Sequence, residues 1–142
     1  MPGRCAVIGT LGAGYPDAMV ETGFTTPDAA QYAHLLADFV ADGATACAVE
    51  ASSIGIEEAR MAGSDVDCAV FTNLTRDHLD YHQTMAGYAA AKSILFVWPG
   101  LRAAVINLDD AFVLRCVIVC TSTVIPLLVV PHRSEQFVRS SI

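Results

Sequence analysis

Lysine is nearly absent from this chain. Lys92 is the only one in 142 residues, and Lys and Arg together number eight against fifteen acidic residues, for a formal net charge of −7. So little positive charge argues against a basic nucleic-acid footprint. It does not argue against an anionic nucleotide, because backbone amides and Mg²⁺ can neutralise phosphates locally. Paired cysteine motifs are missing too. Cys5, Cys47, Cys68, Cys116 and Cys120 are odd in number and never stand in C-x-x-C spacing, which predicts buried, reduced thiols of a cytoplasmic protein rather than a disulfide framework. No cationic start leads into an apolar run, so no signal peptide is expected. The longest apolar stretch, residues 117–130, is broken by Pro126 and is short of the roughly twenty residues a membrane helix needs. A membrane partner is not expected; a buried strand pair, or a tail that does not fold, is.

The residues present are apolar-rich, 54% hydrophobic, in a chain long enough to bury one domain core. Residues 4–9 (RCAVIG) read as a buried strand. Gly12, Gly14, Pro16 and Asp17 then read as a loop; G-x-x-G-x-G is not a phosphate-binding fingerprint, and no Gly-Lys-Ser/Thr follows. Thr26 is placed as a helix cap with Pro27 at the first helical position. Tyr32, Leu35, Leu36, Phe39 and Val40 recur at helical spacing up to Gly43. Residues 45–50 (TACAVE) form the next expected strand. Ser52 and Ser53 open a second helix carrying Glu57, Glu58 and Arg60. Residues 68–72 and 103–107 are further strands, separated by a helix over about 84–96. Strands alternating with helices predict an α/β fold with a parallel sheet. Ligands in such sheets bind beyond the C-terminal strand ends, which puts Glu50, Ser52, Asn73, Arg76, Asp77 and His78 on the functional rim.

Chemistry concentrates in residues 71–92. A carboxylate such as Glu50 and an imidazole such as His78 could hold a divalent metal through oxygen and nitrogen. Lys92 would repel that metal unless CO₂ added to its neutral amine, giving a carbamate with oxygen ligands; the simpler reading is a solvated lysine near a helix end. His78 and His82 stand four apart, as in helical zinc sites, but without the intervening glutamate of a zinc protease. Ser52 and Ser53 can cap a helix or bind an anion; no nucleophile elbow surrounds them. His34 and His132 suggest no role.

Five motifs, taken in order, resemble the central domain of the Mur ligases: TTPD at 25–28, EASS at 50–53, FTNLTRDHLDYH at 71–82, YAAAK at 88–92 and INLDD at 106–110. The longest is the most specific, and is similar to the branch that adds the third amino acid to the peptidoglycan precursor. The resemblance covers residues 4 to 112. It implies an incomplete three-layer, parallel-sheet central domain at 1–112, followed by a divergent apolar tail at 113–142.

The resemblance implies an ATP-dependent amide ligase of the cytoplasm that joins an amino acid, usually meso-diaminopimelate, to UDP-MurNAc-L-Ala-D-Glu. It implies that Lys92 is carbamylated and binds Mg²⁺, that His78 is a second metal ligand, and that Glu50 reaches another Mg²⁺ near the ATP phosphates. Thr25, Thr26, Ser52, Arg60 and Glu58 fall on positions that contact the UDP-MurNAc-dipeptide. Three residues depart from the family's pattern: Phe24 stands where asparagine is common, Ile54 where histidine is usual, and Glu58 where glutamine is common. The family's phosphate loop has no counterpart in these residues, so ligation by this chain alone is not expected. The alternative is a non-catalytic remnant that keeps only a precursor-binding face.

Overall fold

The computed structural model describes residues 3–76, 78–107 and 109–110, together with the backbone of two strands at 127–130 and 138–139. The chain forms two compact units, Met1–Gly63 and Ser64–Ile142.

In the first unit, β1 (Cys5–Gly9) turns back through Thr10 and Leu11 into β2 (Gly12–Tyr15), which turns again into β3 (Ala18–Val20). Helix α1 (Ala29–Ala41) then leads to β4 (Ala46–Val49), and the short α2 (Ser53–Glu57) follows. The sheet order is β3-β2-β1-β4. β1 and β4 are parallel, with Cys5 opposite Ala46 and Ile8 opposite Val49, whereas β2 is antiparallel to both its neighbours. Of the patch read as a loop, Gly12 and Gly14 therefore lie in β2, and only Pro16 and Asp17 form a turn, between β2 and β3. Gly12, at φ +115°, shows why: a side chain there would collide with the Val20 carbonyl. The glycines serve close strand approach, which leaves no apolar alternation to read.

Tyr32 and Phe39 are the buried residues of α1, and the Phe39 ring meets Tyr15 edge-on at 5.9 Å. Val40, expected on the apolar face, is 73% exposed, because it lies one residue, about 100° around the helix, from Phe39. The cap is Asp28 rather than Thr26: its carboxylate accepts from the amides of Ala30 and Gln31, each at 3.0 Å. Thr26 is fully buried and Pro27 lies before the helix instead of inside it. The far end closes as a Schellman motif, with Ala44 N donating to Phe39 O and Gly43 N to Val40 O. Helix α2 is shorter than expected. Glu58 caps it, and Ala59, at φ +55°, turns the chain out before Arg60.

In the second unit, β5 (Cys68–Phe71), β6 (Ala103–Asn107) and β7 (Leu127–Val130) are parallel, and β8 (Val138–Arg139) is antiparallel to β7. Between β5 and β6 lie α3 (Leu79–His82), α4 (Met85–Ser93) and a 3₁₀ turn at Ile94–Val97. Thr84 caps α4 by accepting from Gly87 N at 3.0 Å. The core is Ala69, Phe71, Phe96, Leu101, Ala104 and Ile106. Burying a side chain such as Phe96 stabilises by about 1.5–3 kcal/mol. The single tryptophan, Trp98, packs against this core and donates its indole N–H to Ser64 O at 3.0 Å.

Both sheets are thus mixed. The α/β class holds, and the parallel pairs β1–β4, β5–β6 and β6–β7 are its backbone. Of the three described cysteines, Cys5 and Cys68 are exposed and Cys47 is half-buried, all as free thiols. They are not the buried set expected, because Cys5 and Cys68 are the first residues of their strands. Cys116 and Cys120, and Asp77 of the expected rim, lie outside the described residues. Among the described residues, no helix is long and apolar enough to cross a membrane.

Candidate active site

The chemistry-bearing residues fall into two groups, one in each unit. In the first, the loops after β1 and β4 are bound together by hydroxyls. Thr10 donates its amide and its hydroxyl to Glu50 Oε2, both at 2.9 Å. Thr10 has one hydroxyl proton and gives it to Glu50, so the 3.0 Å contact between the Thr10 and Thr25 hydroxyls must have Thr25 as donor. Thr26 Oγ1 donates to Glu50 O at 2.8 Å and accepts from Ser52 N at 2.9 Å. Its hydroxyl therefore ties the segment before α1 to the loop after β4. Ser52 Oγ accepts from Gly55 N at 3.0 Å, capping α2. Gly55 sits so close to Thr26 that an added Cβ would lie 2.7 Å from Thr26 Cβ, so only glycine lets the capped turn and the threonine loop touch.

Arg60 closes this group. Nη1 donates to Thr26 O at 2.8 Å. Nε donates to Glu58 Oε2 at 2.8 Å and Nη2 lies 2.6 Å from the same oxygen. The guanidinium also stands 5.0 Å from the centre of the Phe24 ring. Two of the residues that depart from the family pattern, Phe24 and Glu58, thus converge on Arg60. An open groove of about 350 Å³ is lined by Glu50 and Thr10 together with Val7, Met19, Ala48 and Val49.

The second group surrounds Tyr88 of α4. His78 precedes α3 with a left-handed backbone (φ +53°), a conformation uncommon for non-glycine residues though histidine is among those enriched in it. Its ring meets Tyr88 edge-on at 5.8 Å, while His82 stacks on Tyr88 at 5.3 Å. Lys92, one helical turn beyond Tyr88, places Nζ 4.9 Å from the ring centre and donates to Asn73 O at 3.0 Å. The loop after β5 is fixed from the β6 side: Asn107 Nδ2 donates to Thr72 O at 2.8 Å, and Leu74 N donates to Asp110 Oδ2 at 2.7 Å.

The structure therefore joins Glu50 with Thr10, Thr25, Thr26, Ser52 and Arg60 in one group, and His78, His82 and Lys92 in the other. Thr10 and Tyr88 were not singled out from the sequence. The hydroxyl directly after a strand end and the i, i+4 spacing of Tyr88 and Lys92 are the signals that point to them. Glu50 keeps Oε1 outside this hydrogen-bond set, which suits a hard cation that prefers oxygen ligands. Lys92 as an ammonium donor does not suit one; as a carbamate it would. His78 and His82, expected as an alternative zinc pair, both pack on Tyr88, and no group of three or more His, Cys, Asp or Glu among the described residues could hold a metal ion.

Against known families, residues 2–133 match the Mur ligase middle domain. The chain belongs to the Mur ligase family. It is similar to the UDP-N-acetylmuramoyl-L-alanyl-D-glutamate--2,6-diaminopimelate ligase of Ralstonia nicotianae, 65% identical over 108 residues that are 76% of this chain and 21% of that protein. It is similar to the same-named ligase of Pseudomonas aeruginosa, 53% identical over 109 residues, 77% of this chain and 22% of that protein. A solved structure of a UDP-N-acetylmuramoyl-L-alanyl-D-glutamate--2,6-diaminopimelate ligase superposes with a TM-score of 0.81 at 40% identity, covering 95% of this chain and 28% of that one. The chain thus spans about a fifth of the length of the curated Mur ligases it matches.

Proposed function

We propose that this chain supplies central-domain residues of an ATP-dependent amide ligase that joins meso-diaminopimelate to UDP-MurNAc-L-Ala-D-Glu, a cytoplasmic step of peptidoglycan synthesis. The observation that carries the reading is the gathering of His78, from the most specific motif at 71–82, and Lys92, from the motif at 88–92, on one tyrosine ring. The names of the relatives support the choice of substrate.

In this reading His78 and Lys92, the latter as its carbamate, would hold one Mg²⁺, and Glu50 would reach another near the ATP phosphates. Magnesium would offset the charge that crowds together when a carboxylate approaches a triphosphate. The carboxylate of the precursor attacks the γ-phosphoryl group of ATP to give an acyl phosphate and ADP. The incoming amine then adds to the acyl carbon, and phosphate leaves as the amide forms. Thr10 holds Glu50 through Oε2 and leaves Oε1 outside that pair of hydrogen bonds. Thr26 fixes the frame on which Thr25 and Ser52 meet the precursor. Arg60 offers its guanidinium to an anionic part of the precursor, in competition with Glu58. The central domain is read as three-layered, with helices on both sheet faces.

A second reading, a precursor-binding module without catalysis, is favoured by one fact: Thr25, Thr26, Ser52, Glu58 and Arg60 all lie in the first unit. Titrating the chain with UDP-MurNAc-L-Ala-D-Glu, with and without Mg²⁺ and ATP, separates the two. Binding of the precursor that strengthens with Mg²⁺ and ATP supports the ligase reading. Binding indifferent to both supports the module. No binding at millimolar precursor contradicts the module.

A further inference from the structure

Tyr88 is 4% exposed, and three side chains of different chemistry converge on its ring. His78 meets it at an interplanar angle of 82° and a centroid distance of 5.8 Å; His82 lies nearly parallel to it, at 23° and 5.3 Å. Lys92 Nζ stands 4.9 Å from its centre. Edge-on and stacked arrangements are both favourable for aromatic rings, and an ammonium near a ring is attracted by its quadrupole. A buried ring in a packed helix has little rotamer freedom, so it can serve as a rigid reference for groups on three different segments: the residue before α3, the end of α3 and the last turn of α4.

Each of those groups has a second restraint that the ring completes. His78 has a left-handed backbone, a strained state that persists only where surrounding contacts over-determine it. Lys92 would sweep a wide volume on its four-carbon stem; the Asn73 carbonyl at 3.0 Å fixes its tip, and Tyr88 limits the path of the stem. His82 ends α3, next to the strained Gln83 at φ +62°, and its stacking on Tyr88 holds α3 against α4.

We propose that Tyr88 is a positioning residue: its buried ring sets the orientation of His78, His82 and Lys92 and so pre-forms the second group of the site. What this array is for rests on the reading of His78 and Lys92 as metal-binding groups, but the positioning does not. The ring, rather than the hydroxyl, does the positioning, because all three contacts are to the ring. Tyr88→Phe therefore preserves the array and Tyr88→Leu dissolves it.

The sole lysine makes this measurable on the whole chain. Protein labelled with ¹⁵N and ¹³C in lysine and histidine gives one lysine side-chain spin system, and Trp98, the only tryptophan, reports through its indole N–H whether the second unit is folded. The expected result is that the Lys92 methylenes and the His78 and His82 ring protons carry ring-current shifts in the unaltered protein and in Tyr88→Phe. In Tyr88→Leu the His78 shifts vanish, and those of His82 and Lys92, which also face Tyr81 at 4.9 Å and Phe71 at 6.0 Å, shrink, while the Trp98 signal stays. Mn²⁺, used as the probe in place of Mg²⁺, should broaden the His78 signals in the first two proteins and need about tenfold more metal in the third. Absence of ring-current shifts in the unaltered protein overturns the proposal, as does a Tyr88→Leu protein that keeps both shifts and Mn²⁺ response. If Leu abolishes the Trp98 signal, Tyr88→Met, a flexible filler of the same space, is judged by the same criteria alongside the shifts of the unaltered protein. Should Mn²⁺ leave His78 untouched even in the unaltered protein, the metal reading fails, and the shifts alone decide the role of Tyr88.

Discussion

Thr10 and Glu50 meet through two hydrogen bonds to a single oxygen, the amide and hydroxyl of Thr10 both reaching Glu50 Oε2 at 2.9 Å. The residues are forty apart in sequence and follow adjacent parallel strands, so the contact depends on the register of β1 and β4. It leaves the other carboxylate oxygen outside this pair of hydrogen bonds.

Replacing Thr10 by valine keeps the amide bond and removes the hydroxyl. A hydrogen bond to a charged acceptor contributes about 1.5–3 kcal/mol when shielded; at this exposed position the expected loss is about 1 kcal/mol, read from the urea midpoint. Loss of the positioning donor should also weaken Mg²⁺ binding by about tenfold, read by titration calorimetry. Unchanged metal binding would mean that Glu50 does not need Thr10.

Glu58 holds two nitrogens of Arg60. Glu58→Gln keeps the shape and removes the competing charge, so binding of the UDP-MurNAc-dipeptide should strengthen. An exposed ion pair contributes about 0.2–1 kcal/mol, which sets the expected gain at about 1.4- to fivefold. Weaker binding in Glu58→Gln would show Glu58 to be a direct contact of the precursor.

Gln83 joins α3 to α4 at φ +62° and is exposed. A left-handed backbone costs a non-glycine residue about 1–2 kcal/mol, and no buried side chain is lost on substitution. Gln83→Gly should therefore raise stability by up to about 1 kcal/mol, once the extra chain entropy of glycine is counted. A lowered urea midpoint would contradict the strain.

Cys47 has its thiol pushed up from 9.0 to about 11, first by burial and then by the nearby Cys5 sulfur. Below pH 9 the thiol is protonated in both folded and unfolded protein and has no effect on the pH dependence of stability. Between about pH 9 and 11 the unfolded chain binds fewer protons at this site, so stability falls as pH rises. Peptide-mapped alkylation at pH 8.5 should modify the exposed Cys5 and Cys68 before Cys47, because the thiolate is the reactive form. Equal rates at all three would count against this.

Much of the frame was legible from residue patterns. The apolar runs that became β1, β4, β5 and β6 were placed within a residue or two, since apolar strands bounded by polar turns are a strong signal. Thr84 was recognisable as the start of α4. Thr26 misled because TTPD contains two competent caps, and tertiary structure used the threonine for Glu50 and left the helix to Asp28. The β2–β3 hairpin was hidden because glycines at 12 and 14 erase the alternation that marks a strand. Of the site, Glu50, His78 and Lys92 were visible as motif residues. Thr10 and Tyr88 were not, because their importance lies in contacts to side chains that sequence spacing alone does not bring together.

Lys92 is proposed to belong to an amide-ligase centre. The most direct measurement replaces the matching segment of the Ralstonia nicotianae ligase with residues 4–112 of this chain and follows amide formation dependent on ATP, UDP-MurNAc-L-Ala-D-Glu and diaminopimelate. The exchange protein should ligate; its Lys92→Ala form should lose about 100-fold in rate, with partial recovery on adding small carboxylates that can take the place of the carbamate. A Lys92→Ala form as active as its parent would contradict the account.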